Sequence, residues 1–274
     1  LNIFQLKNLN FSYSMRPEVL TGLNFSVEAG ERVCILGANG CGKSTLLKIL
    51  AGLLSPTAGE FFAFGNKMDP AVLSRDESKV YHRRVGYVFQ DSDVQLFCSN
   101  VREELAFGPL QLGLSHDEVM ASVNRMAESL DITKLLDKAP FHLSGGEKKK
   151  VAIASTLILD PEVLIMDEPT NDLDPRSQTW LLKLLHRDMA SGDAGRKPHA
   201  SDLLDGSKPH AKTLIFSTHN LELVPHIADR ALLFNEDHQL CADLPVRELL
   251  QRVDLLRSVN LVDEHFHTHP WDFE

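Results

Sequence analysis

Apolar positions change period several times along the chain, and each change marks an element. Residues 3–13 and 23–27 are dense in apolar and aromatic side chains and predict two early strands. Val33-Cys34-Ile35-Leu36 is an unbroken apolar run, the pattern of a strand buried on both faces. Leu46, Leu47, Ile49 and Leu50 then recur at helical spacing and predict a helix ending near Gly52. Residues 61–64 predict a short aromatic strand, 69–83 are polar and expected as loop, and 85–89 return to a strand. From residue 100 to 136 the period turns helical, with Val119, Met120, Val123, Met126, Ala127 and Leu130 largely along one side. A helix is expected over 148–159. Val163-Leu164-Ile165-Met166 is a second unbroken run, and residues 213–216 and 231–234 predict two further strands.

This order predicts an α/β fold, in which a β-rich edge precedes a parallel-sheet core and a helical segment of about residues 98–160 is inserted. A boundary is expected near residue 245, with 246–274 as a C-terminal extension. Length fits one large core plus a smaller subdomain, at 274 residues. The net charge of -10 opposes broad binding to nucleic acid or anionic lipid, so membrane attachment would have to come through a protein partner. No apolar run approaches the ~20 residues that cross a bilayer, and the N-terminus lacks a basic-then-apolar secretory pattern; a cytosolic chain is expected. Cys34, Cys41, Cys98 and Cys241 are scattered without a C-x-x-C pair, which argues against a structural zinc or disulfides.

Two motifs carry chemistry. Gly37-Ala38-Asn39-Gly40-Cys41-Gly42-Lys43-Ser44-Thr45 fits G-x-x-x-x-G-K-[ST] between a predicted strand and a predicted helix, the context a phosphate-binding loop needs. Its glycines let backbone N–H groups converge on phosphate oxygens, and the helix adds its positive end. Lys43 would reach the outer phosphates and Ser44 a Mg²⁺ ion. At the end of the second apolar run, Asp167 and Glu168 place two carboxylates where ligands gather in open α/β sheets. Asp167 would hold Mg²⁺ and Glu168 would orient and deprotonate the attacking water. Neighbouring strand residues point oppositely, so both reach one site only if the chain bends after Met166.

With these residues in place, Leu143-Ser144-Gly145-Gly146-Glu147 closely resembles the signature of ATP-binding cassette (ABC) ATPases. The resemblance extends from Tyr13 to about Asp243. It implies a P-loop NTPase core of ABC type with an antiparallel β subdomain and an inserted helical subdomain, over residues 1–245. It further implies that Tyr13 stacks on adenine, that Gln90 is the Q-loop glutamine, catalytic and a ligand of the metal, and that Asn171-Asp172-Leu173-Asp174 is the D-loop. By the same resemblance His219 positions water and γ-phosphate, while Ser144, Gly145 and Gly146 cover the nucleotide of a second subunit. ATP and Mg²⁺ are the implied ligands, and a head-to-tail pair of chains, able to be a homodimer, the implied unit. Glu147 departs from the usual glutamine; it is expected to turn away from the phosphates toward Lys148, Lys149 or Lys150, themselves expected as a solvated helix face.

The letters Gln90-Asp91-Ser92-Asp93-Val94-Gln95-Leu96-Phe97 resemble the same segment of energy-coupling-factor importers. That branch implies ATP-driven import of a vitamin or a transition metal (cobalt, nickel or zinc), with a transmembrane transporter subunit and a possible substrate-binding membrane subunit as partners. The ATPase would then sit peripherally at the cytoplasmic face of the membrane, with no nucleic-acid partner. Leu96 and Phe97 are open between contact with the membrane subunit and packing within the helical segment. Two other readings are a soluble ABC ATPase acting on ribosomes or DNA, disfavoured by a single cassette without basic character, and a metal-responsive ATP-binding regulatory module. Alternating imidazoles at His265, His267 and His269, with His199 and His210 in a polar near-repeat, offer borderline metal ligands. Cys41 has two readings: a tolerated small side chain at a variable loop position, which is preferred, or a thiol drawn toward thiolate by Lys43 and the helix start.

Overall fold

Among the described residues, ten strands form two sheets. The structure, a computed structural model, describes residues 2–69, 71, 73–171, 173–190 and 212–262. The first sheet is antiparallel, ordered β2-β1-β4-β5, from β1 (Asn2–Tyr13), β2 (Arg16–Glu28), β4 (Ala58–Ala63) and β5 (Asn66–Lys67). The second is ordered β10-β9-β3-β8-β7-β6, from β3 (Arg32–Leu36), β6 (Val85–Val88), β7 (Val163–Met166), β8 (Thr213–Ser217), β9 (Arg230–Phe234) and β10 (Leu240–Pro245). Five of its strands are parallel and β10 is antiparallel at the edge.

The unbroken apolar runs follow from what lies on each face of this sheet. Val33, Ile35, Val163, Ile165, Ile215 and Leu232 share one core with the antiparallel sheet and with helix α1 (Lys43–Leu50). Cys34, Leu36, Leu164, Met166, Leu214, Phe216 and Leu233 point into a second core under the remaining helices. With both faces covered, the middle of each strand reads as an unbroken apolar run, and the buried polar side chains of β8, Thr213 and Ser217, stand at its two ends. Between the sheets α1 has Leu46, Leu47, Ile49 and Leu50 fully buried, each worth about 1.5–3 kcal/mol of apolar transfer.

Helices α4 (Val101–Gln111), α5 (His116–Ser129) and α6 (Gly145–Leu157) pack on one another, and α6 also lies against β6. From α5, Val119, Val123 and Ala127 are buried, as their spacing predicts. Residues 246–262 pack beneath β9 and β10, where Val246, Leu249, Leu250, Leu256 and Val259 join the second core. No described helix is long and apolar enough to cross a membrane.

Two elements correct the sequence reading. The polar stretch expected as loop contains helix α2 (Arg75–Arg84), opened by a capping box between Ser74 and Glu77 and anchored by buried Tyr81, whose hydroxyl donates to the Leu50 carbonyl. Helix α6 begins at Gly145, three residues before the expected start, so the signature glycines are its first turn.

Candidate functional site

Parallel strands deliver their carboxyl ends to one edge of a sheet. Here β3 runs into the phosphate loop, β7 into Asp167 and Glu168, β8 into His219 and β6 into Gln90, so four separated stretches of sequence meet along that edge.

Gly37 leaves β3 with φ +149°, and a Cβ there would stand 2.7 Å from both the Cys41 Sγ and the Phe234 carbonyl oxygen. Only glycine lets the chain turn over the end of β9 so closely. Asn39 and Gly40 form an exposed turn, and the Cys41 N–H donates to the Ala38 carbonyl, closing the loop before Gly42 caps α1. Lys43 is 6 % exposed; its Nζ donates to the carbonyls of Gly37 (2.7 Å) and Ala38 (3.1 Å) and stands 3.9 Å from Glu168 Oε1. Half-buried Ser44 follows, then buried Thr45, whose Oγ1 lies 3.3 Å from the hydroxyl of Tyr13. Tyr13 is itself exposed and braced edge-on by Phe11.

The bend that the two carboxylates require is present. After β7 the Asp167 N–H still pairs with the Val88 carbonyl, but Glu168 adopts φ +43°, a left-handed conformation that costs a non-glycine residue about 1–3 kcal/mol. Ser217, fully buried at the end of β8, holds it there. Its Oγ accepts the Glu168 N–H at 2.9 Å and donates to Asp167 Oδ1 at 2.7 Å, so one hydroxyl sets both acids. The Tyr87 hydroxyl donates to Asp167 Oδ2 at 3.3 Å, and burial together with the Asp167 charge pushes that phenol far up. Glu168 Oε2 lies 3.1 Å from Nδ1 of His219, whose side chain is 55 % exposed. A hydrogen bond from that nitrogen to the carboxylate fixes how the ring is turned. The arrangement is a buried carboxylate between a fixed ammonium and an oriented imidazole.

Gln90 is exposed two residues beyond the end of β6, the strand that neighbours β7. Ser144, Gly145 and Gly146 are not in this cluster. They open α6, which packs against β6, and β6 lies three strand spacings, about 14 Å, from β3. Ser144 caps α6 and Gly146 approaches helix α7 (Pro175–Ala190) so closely that a Cβ would meet Ser177 Oγ at 2.8 Å. Asp174 caps that helix, accepting from the N–H groups of Arg176 and Ser177.

Two expectations are corrected here, and the choice at Cys41 is decided. Glu147 does turn aside, but toward Ser144: its Oε2 accepts from the Ser144 N–H at 2.8 Å and Oγ at 2.9 Å, with Lys138 at 3.8 Å. The Ser144 N–H bond, foremost, holds its carboxyl below the usual range. A glutamate at this position is thus the reciprocal half of a capping box. Of the three lysines, Lys149 is 3 % exposed and no solvated face, Lys148 pairs with Asp93, and Lys150 stands over Trp180. Cys41 is 2 % exposed, and burial raises its thiol more than Lys43 lowers it. Near neutral pH, alkylation of native Cys41 is therefore expected at least about tenfold slower than in the unfolded chain, accelerating as pH climbs past the ordinary thiol value of 9.0. Equal rates, read by mass spectrometry, contradict that placement.

Leu96 is buried, which fits packing within the helical segment, whereas Phe97 is 65 % exposed with its ring 4.9 Å from that of Phe107. Sequence reasoning missed Ser217, Tyr87 and Lys149. Ser217 carried a signal, since it ends an apolar strand two residues before His219; the other two carried none that a single sequence shows. The histidines at 199, 210, 265, 267 and 269, and Asp172 of the D-loop, lie outside the described residues. Among the described residues no group of three or more His, Cys, Asp or Glu side chains is arranged to hold a metal ion by protein ligands alone.

The chain resembles known proteins over most of its length. The ABC transporter family pattern matches residues 20–171, and a pattern described as an AAA domain, putative AbiEii toxin, matches residues 127–224. A putative ABC transporter ATP-binding protein of Methanosarcina acetivorans is 46 % identical over 271 residues, 97 % of this chain and 91 % of that protein. The nickel import ATP-binding protein NikO of Rhodobacter capsulatus is 42 % identical over 260 residues, covering 94 % and 95 % of the two chains. Among solved structures, cbiO1 of Clostridium perfringens, part of the ABC transporter complex cbiONQ, superposes with a TM-score of 0.73 at 33 % identity and 95 % coverage of both chains.

Proposed function

Because the chain belongs to the ABC transporter ATP-binding family, we propose that it hydrolyses ATP to drive import of a transition metal, nickel or cobalt before zinc, or else a vitamin, through a membrane complex. Its 42 % identity to a nickel import ATP-binding protein favours the metal. The observation that carries the enzymatic part is the meeting of Lys43, Glu168 and His219 at the carboxyl edge of the sheet. In this reading the loop amides and Lys43 bind phosphates, Tyr13 stacks on the base, Glu168 accepts the proton of the attacking water, and His219 orients water and phosphate.

Ser44, Asp167 and Gln90 present only oxygen ligands, the set a hard cation such as Mg²⁺ takes, so the residues fit that ion. Bound there, Mg²⁺ would neutralise phosphate charge. Ser144 and the N–H groups of Gly145 and Gly146 lie too far across the sheet to serve the same chain's loop, which supports their use on a partner's nucleotide and hence a dimer with two composite sites. We keep residues of about 98–160 as an inserted helical unit and 246–274 as an extension. Exposed Val94, Phe97, Phe107 and Leu110 near Gln90 suit the apolar face of a membrane subunit's helix, which would hold the ATPase at the cytoplasmic surface. The ribosome, DNA and regulatory readings have no supporting observation.

The test is purification from membranes. The chain is expected to bring down a membrane subunit, Phe97→Asp to lose it while keeping the ATP turnover of the isolated chain, and Ni²⁺ or Co²⁺ to stimulate turnover of the complex in vesicles. Stimulation by a vitamin alone contradicts the metal; no membrane partner contradicts import.

A further inference from the structure

Lys149 stands in the second turn of α6, almost wholly out of solvent. A buried ammonium is costly unless acceptors surround it, so whatever it bonds is held firmly. Its Nζ donates to the carbonyls of Gln90 (2.7 Å) and Phe89 (3.2 Å). The other side of the same peptide segment is fastened to the same helix: the Phe89 N–H donates to Gln95 Oε1 at 3.0 Å, and Gln95 Nε2 donates to the Ala152 carbonyl of α6 at 2.8 Å. Lys148 adds a pair to Asp93 at 2.5 Å, in helix α3 (Ser92–Gln95). Both backbone groups of Phe89 and the carbonyl of Gln90 are therefore tied to the helix whose first turn is Gly145 and Gly146.

Gln90 and Ser144 belong to different active sites in the dimer. We propose that Lys149 is a positioning residue that couples nucleotide occupancy in a chain's own site, felt at Gln90, to the placement of residues 144–146 over the partner's site. A displacement of the Gln90 backbone cannot occur without drawing on α6, because the lysine bridges them through a short, desolvated contact. The inference rests on the roles proposed above for Gln90 and Ser144.

Amide hydrogen exchange on the full chain, with and without Mg-ATP at a concentration where it sediments as a single chain, tests the coupling apart from turnover. In the parent, nucleotide alters exchange in residues 89–95 and 145–150 together. In Lys149→Met the first response stays and the second shrinks, because the Gln95 and Lys148 links alone remain; Lys149→Arg, which keeps charge and donors, restores it. In a Glu168→Gln background, Lys149→Met also lowers ATP-driven self-association by about 5- to 150-fold. Should Lys149→Met not melt cooperatively, Lys149→Gln replaces it under the same criteria. A folded Lys149 variant in which 145–150 respond as in the parent overturns the coupling. No response at 89–95 in the parent removes the role of Gln90 itself, and the inference falls with it by a different observation.

Discussion

Glu168→Gln is expected to slow ATP turnover by about 10²- to 10⁴-fold while ATP affinity changes little. The amide has the carboxylate's shape, so the left-handed turn at Glu168, the bond from its N–H to Ser217 and a hydrogen bond to His219 all survive. What is lost is the ability to take a proton. Since Lys43 Nζ lies 3.9 Å away, the substitution also leaves that ammonium with its two carbonyl partners and no adjacent anion, which does not weaken its attraction for phosphate. Nucleotide titration with single-turnover chemistry separates the two effects. Parental turnover removes Glu168 from the role of base.

Lys43→Ala should act on binding itself. Truncating one partner of a buried, hydrogen-bonded charge contact costs about 2–5 kcal/mol, or about 30-fold and more in Kd. Hydrolysis is expected to fall below detection. In this chain the carbonyls of Gly37 and Ala38 also lose their donor and Glu168 is left buried beside a void, so the empty loop should loosen too. Lys43→Arg should not restore binding, because a rigid planar fork does not fit the 6 % exposed site of a compact ammonium. Unaltered affinity measured by calorimetry in either variant contradicts the placement of phosphate against this loop.

Much of this was legible because a parallel sheet leaves a strong imprint. Strands buried on both faces read as unbroken apolar runs, and Val33–Leu36 and Val163–Met166 stood out on that ground. Their carboxyl ends then located Lys43, Asp167 and Glu168. Two adjacent carboxylates at one site require the bend at Glu168, yet the hydroxyl that holds it comes from a strand some fifty residues later, a contact no local pattern contains. Helix α2 was lost to its polarity, although Ser74 and Glu77 spell a capping box, a signal repeated at Ser115 with Glu118 and at Ser144 with Glu147. Read at 144–147, the same signal accounts for the unusual Glu147 and for a helix that starts at the glycines. Lys149 was misread because a run of lysines normally marks a wet face; only the packing of α6 over the end of β6 buries the middle one.

The central claim is that one chain's phosphate loop and another's Ser144–Gly145–Gly146 turn form the working site. Turnover per chain measured against chain concentration tests it most directly, with sedimentation run in parallel. The account requires specific activity to rise with concentration as ATP-bound chains pair, and Ser144→Arg to abolish that rise while ATP still binds the single chain. Turnover independent of concentration, by a species that sediments as one chain, would contradict it.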